Sequence, residues 1–182
     1  MFGIRQKLLL GFTSILAIVG GTGVLTILQL DTLGRSIDII LRENYRSVVV
    51  CQQMKESLER IDSGLLYTLA GNRNAGTRLV DENLGNFRRA LDAENGNITL
   101  SGEKELAERA GVLFEEYRQA LPRILDAALP APERQADYFR TLSPLFDRLK
   151  GTAQEILELN QANMNAANET ARKISSSLIP LL

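Results

Sequence analysis

From Leu8 to Leu28 the chain reads LLLGFTSILAIVGGTGVLTIL, without one charged side chain. At about 1.5 Å per helical residue this run spans roughly 30 Å, the hydrocarbon thickness of a bilayer. It therefore predicts a membrane helix and dictates what the remainder can be. Arg5 and Lys7 precede the run, which favours a cytoplasmic N-terminus, although Arg35 and Arg42 follow on the other side. The rival reading is a cleaved signal peptide, with an apolar region of about 7–15 residues and a small-residue cleavage site. Here the run is longer and passes into Gln29-Leu30-Asp31, so an uncleaved anchor over 1–30 is the reading adopted.

Beyond the anchor, small and apolar residues recur at alternating steps of three and four. One set is Ile37, Asn44, Cys51, Leu58, Leu65; the other is Leu33, Ile40, Ser47, Met54, Ile61, Thr68. A heptad repeat of this kind is the seam of a coiled coil or helical bundle. It predicts one helix running out of the membrane to a turn at 71–76, where Gly71-Asn72-Arg73-Asn74-Ala75-Gly76 is rich in breakers. A second helix is read from Val80, Leu84, Phe87 and Leu91, ending at Asn95-Gly96-Asn97. A third starts after Ser101 as N-cap, with Glu103 and Glu105 in its first turn and a stripe from Leu106 through Leu113 and Tyr117 to Ile124. Pro122 should kink it, and Pro130-Ala131-Pro132 should close it. The fourth carries Leu142, Leu149, Ile156, Asn163 and Thr170, with Phe139, Phe146, Ala153, Asn160, Ala167 and Ile174 in register. Ser143-Pro144 either caps a fresh start or kinks a helix already running.

Few aromatic residues and no strand pattern complete an all-α expectation: an N-terminal transmembrane helix continuous with an antiparallel up-down four-helix bundle over 31–176. The end, Ser177 to Leu182, is either a frayed apolar tail or the start of a second membrane helix. The first and fourth helices outreach the middle pair, so their membrane-proximal seams need another partner. A parallel homodimer supplies one.

Given equal rise, residues level on the first and fourth helices have numbers adding to about 208. Asn44 and Ser47 then meet Asn160 and Asn163, polar side chains where leucines are expected, flanked by Arg42, Tyr45 and Arg46. Unpartnered buried amides cost on the order of 1–3 kcal/mol each, so the layer must bond internally, to water or to a ligand. It can fix register and dimer state, as a seam asparagine does in coiled coils. Alternatively it holds a small anionic or polar ligand through Arg42 or Arg46, or forms a wet spot that loosens the helices. Arg60, Arg73 and Asp62 are read as lying on solvated faces.

Other chemistry is scarce. No histidine and one cysteine exclude a histidine-based triad and the usual zinc sets, and Cys51 is read as a buried or idle thiol. The net charge of −1, with scattered basic residues, gives no nucleic-acid footprint. Gly20-Gly21-Thr22-Gly23 lies within the membrane run, where small residues let helices pack closely. Asn97-Ile98-Thr99 matches a glycosylation acceptor, a weak signal. No cofactor, metal or catalytic residue is expected.

Asn44-Tyr45-Arg46-Ser47-Val48, Met54-Lys55, Glu59-Arg60-Ile61-Asp62 and Leu69-Ala70-Gly71 resemble the first sensor helix of KinB-type bacterial sensor histidine kinases. The stretch Asn160–Arg172 is similar to the segment leading into their second membrane helix, and the layout more loosely resembles the four-helix-bundle input domains of chemoreceptors. The resemblance implies a periplasmic input domain held in the bacterial inner membrane between two membrane helices. In that family the second is followed by a HAMP linker and kinase domains. The chain ends at Leu182 without the phosphoacceptor histidine or a nucleotide-binding domain, which implies a fragment or truncated product. A structural membrane-anchored coiled coil without ligand is the alternative from another class.

Overall fold

The computed structural model describes residues Gly3 to Leu178, with the side chains of Lys7, 29–30, 32–33, 35–39, 41 and 175–178 excepted. Every element among the described residues is helical. They are α1 (Ile4–Leu69), α2 (Arg73–Asn95), α3 (Glu103–Leu125), α4 (Ala131–Asp137), a π-helical turn (Tyr138–Leu142) and α5 (Ser143–Leu178). Two compact units divide the chain: the described residues up to Ile39 with those from Asn168 onward, and Ile40–Ala167.

In the first unit, Ile4–Leu28 has a mean hydropathy of 2.1 and is long and apolar enough to cross a membrane. Its hydroxyls are satisfied within the helix. Ser14 donates to the Leu10 carbonyl at 2.7 Å and Thr26 to that of Thr22 at 2.9 Å, as a medium without water requires. Part of Ser177–Leu182, the possible start of a second crossing, lies outside the described residues.

The second unit holds one hydrophobic core to which α1, α2, α3, the π turn and α5 all contribute. The α1 seam is buried as its period requires: Cys51, Met54, Leu58, Ile61 and Leu65 are fully enclosed. So are Val80 and Phe87 of α2, Ala110 and Tyr117 of α3, Leu142 of the π turn, and Leu149 and Ile156 of α5. Phe87 stacks on Phe114 with centroids 4.4 Å apart. Polar pairs fix the directions. Asn44–Asn163, Lys55–Gln154 and Glu59–Lys150 step oppositely along α1 and α5, within one residue of the expected register. Glu103–Asn160 and Arg109–Glu155 do the same for α3 and α5.

Four local expectations need correction. Helix α2 begins at Arg73, not after Gly76, because Gly76 is a contact point rather than a breaker. A Cβ on the facing Gly64 would lie 2.7 Å from the Gly76 carbonyl oxygen, so only bare backbones pass this closely. The turn itself rests on Gly71, whose φ of 96° is cheap for glycine alone. Ser101 does not cap α3. Gly102 holds that position at φ 85°, and Glu103 reaches back to the turn instead. Ser143-Pro144 neither starts a separate helix nor breaks one. Pro144 leaves the Arg140 carbonyl without its usual donor, and the π turn absorbs the defect, the Ser143 N–H bonding to Tyr138 five residues back. The wider turn shifts the register, so Tyr138 faces the core while Phe139 is 61% exposed. Finally, Asp62 is not a solvated residue: its carboxylate accepts the Tyr138 hydroxyl at 2.6 Å, tying α1 to the π turn. Arg60 does lie on an exposed face, paired with Glu56 at 3.0 Å, whereas Arg73 donates to the Leu125 carbonyl.

Candidate functional site

The polar layer is assembled from five parts of the chain, at the end of the core nearest in sequence to the apolar segment. Asn44 and Ser47 enter it from α1 because they occupy seam positions about two turns before Cys51 and Met54 respectively. Both are buried, as is Asn160 on α5. The Asn44 Nδ2 donates to Asn163 Oδ1 at 2.7 Å. Asn160 Nδ2 donates to Glu103 Oε1 at 2.6 Å and to the Ile156 carbonyl at 3.0 Å. Tyr45 and Arg46 do not join them: Tyr45 is 61% exposed and Arg46 is exposed beside it. Arg42 is also exposed, with its guanidinium on Glu43 at 3.1 Å.

Three residues at and around the α2–α3 connection complete the layer, Glu94 from the end of α2, Asn97 from the connection and Glu103 from the start of α3, and sequence reasoning missed all of them. Asn97 is buried and sends its amide to the Glu43 carbonyl at 2.8 Å and to Ser47 Oγ at 2.9 Å. Its side chain is therefore committed inside the fold rather than presented as a glycosylation acceptor. Glu94 and Glu103 are both 0% exposed. A signal for them existed: Glu94 continues the heptad of Val80 and Phe87, and Glu103 begins the heptad of Ala110, Tyr117 and Ile124. Each stripe thus runs one step further than its apolar members, and the charge at its end hides the step.

The two carboxyls are treated differently by their surroundings. Glu103 accepts three N–H groups: Thr99 at 2.7 Å and Leu100 at 3.0 Å on Oε2, and Asn160 on Oε1. Neither oxygen of Glu94 meets a donor in hydrogen-bonding geometry, and Asn160 Oδ1 is also unpartnered. Burial pushes the Glu94 carboxyl up to about 7, and the nearby Glu103 adds to this. The Ser47 hydroxyl and the Arg46 guanidinium pull partly the other way. Cys51 packs into the same region with its thiol fully enclosed. Burial, with Glu94 and Glu103 beside it, raises that thiol far above its ordinary value, so it is inert in the folded protein.

What this arrangement can do follows from its inventory. Every orphaned atom here is an acceptor, and the net formal charge is negative. Such a layer takes a proton, a hydrogen-bond donor or water; it opposes an anion. Among the described residues no cluster of histidine, cysteine, aspartate and glutamate is fit to hold a metal ion. A separate groove of about 380 Å³ between α1 and α2 is lined by Gln53, Arg60, Asn83 and Arg89. Its arginines are already held, Arg60 by Glu56 and Arg89 by Asn86. No family model matches the chain, and neither a curated protein nor a solved structure matches it.

Proposed function

We propose that the chain is the membrane-anchored input domain of a bacterial transmembrane sensor of the histidine-kinase kind, with Ile40–Ala167 on the periplasmic side of the inner membrane. In this reading the second unit is an up-down four-helix bundle, and two copies associate in parallel. The chain itself is no enzyme. The observation that carries the reading is that α1 is one unbroken helix from the apolar segment to the polar layer, where it is hydrogen-bonded to α5 through Asn44 and Asn163. In this reading the seam, interrupted by amides, has two packings of similar free energy. A bias between them displaces α5 along α1 by about 1–2 Å, the scale of known helix shifts.

The guest, if small, is a donor or a cation rather than an anion, because Glu94 and Glu103 occupy the interior while Arg46 stays outside. A chemoreceptor-type input domain uses the same device and differs in what its second membrane helix adjoins. The purely structural reading, a ligand-free anchor, is favoured by the Asn44–Asn163 bond, which pairs one amide with the other without a ligand.

Disulfide trapping separates these readings. In a Cys51→Ala background, paired cysteines along α1 and α5 are cross-linked in native membranes while external conditions vary. A sensor shows rates that change with condition and with Asn163→Leu. Rates indifferent to both leave the structural anchor.

A further inference from the structure

Glu94 and Glu103 face each other across the connection between α2 and α3, and they are accommodated unequally. Glu103 accepts three N–H groups, the pattern of an acceptor-only carboxylate. Glu94 is completely buried with both oxygens unpartnered, and Asn160, equally buried, has an unpartnered Oδ1. The charged and titratable groups around Glu94 come from two elements. Helix α1 brings Arg46 and Cys51, with the Ser47 hydroxyl beside them, and α3 brings Glu103; Lys55 lies near Cys51, and α5 brings the neutral amide of Asn160 to Glu103. Arg46 is exposed and Lys55 is turned to Gln154, so no buried cation balances the pair. Two ionised carboxylates in this position are expensive, and one proton resolves the conflict by making Glu94 a donor.

We propose that Glu94 and Glu103 form a one-proton site with the proton on Glu94, and that its loss as the surroundings become less acidic loosens the α2–α3 end of the core. The proton leaves to solvent base and no bond other than O–H changes. Loosening frees Asn97 from Glu43 and Ser47, and Asn160 from Glu103, which releases α1 and α5 at the layer they share. External acidity thereby becomes the condition sensed. That last step rests on the sensor reading above, whereas the proton site itself does not.

The direction follows from linkage. The free carboxyl value is 4.5 and the folded one about 7, so the stabilisation is complete below about pH 4.5 and is lost as pH rises through 7. The opening equilibrium therefore rises about tenfold per pH unit between about pH 5 and 7 and levels off above.

The test uses the full chain in lipid nanodiscs. Amide hydrogen exchange across residues 94–103, corrected for intrinsic chemistry, is followed from about pH 5 to 8.5. The expected result is protection that falls about tenfold per unit up to near pH 7, and a flat profile in Glu94→Gln, whose amide donates at every pH. A flat wild-type profile overturns the proposal, as does a Glu94→Gln profile identical to wild type. Should Glu94→Gln lose its helical circular dichroism, the wild-type infrared spectrum decides. A buried carboxylic-acid C=O band fading between about pH 6 and 8 supports the site, and its absence at pH 6 overturns it. Trapping between α1 and α5 is scored separately, so failure of the sensor reading leaves this result standing.

Discussion

Tyr117 of α3 is fully enclosed, and its hydroxyl is one of the few buried polar groups without a partner. Burial pushes that hydroxyl far up, with Asp62 and Tyr138 adding to the effect, so it stays neutral but still forfeits its water. Removing it costs no hydrogen bond and relieves desolvation, while the ring keeps its packing. Tyr117→Phe should therefore stabilise the protein by about 1 kcal/mol, read as a higher urea midpoint in detergent micelles at unchanged slope. A loss of that size would mean the hydroxyl is bonded after all. Residues of this kind mark the limit of what a sequence discloses. Tyr117 was readable as core from its heptad, and Asn44, Ser47 and Asn160 as buried polar side chains from theirs. Whether a buried polar atom finds a partner depends on side chains from other helices, as Glu94 and Glu103 demonstrate at one end of the core and Tyr117 at the other.

At the scale of elements, two glycines of the same type have opposite meanings. Gly151 sits exposed within α5 with open space where a Cβ would go, so Gly151→Ala should gain up to about 1 kcal/mol of helix propensity. Gly76 sits in α2 against Gly64 and Thr68 of α1, where a Cβ collides with backbone. There the same propensity gain loses to overpacking, and Gly76→Ala should cost roughly 1–3 kcal/mol. Thermal melts followed by circular dichroism distinguish the two, and a stabilised Gly76→Ala would refute the close crossing. Local signals alone make Gly76 part of a turn, which explains the departure at 71–76. Periodicity identified the long seams of α1 and α5 and their mutual register because many residues repeat one rule. The crossing at Gly76 and the π turn before Pro144 each rest on a single contact or a single missing donor, and neither leaves a repeating trace.

For the whole molecule, the distribution of burial along the seams says where a second copy would sit. On α1 the seam is enclosed from Thr68 down to Asn44, and then Ile40 is only half-buried. On α5 it is enclosed from Leu149 to Asn160, and Asn163 and Ala167 are again half-buried. Both seams thus lose cover on the same side of the polar layer, beyond the reach of α2 and α3. Leaving such stripes to water forfeits about 25 cal/mol for each Å² of apolar surface, whereas a parallel mate covers them with the same stripes. Cys51 cannot report on this, since it is fully buried and should neither bridge two chains nor be alkylated until the core opens. In a Cys51→Ala background, single cysteines scanned along α1 over positions 36–47 and along α5 over 163–174 should cross-link to their own counterparts in membranes. The efficient positions should recur every three to four residues, the signature of a helix face turned to its mate. Efficiency without that period would indicate collision rather than an interface. Its absence at every position would mean that the half-buried ends of the seams are covered by lipid headgroups or by another protein, and would count against the parallel pair in the proposed reading.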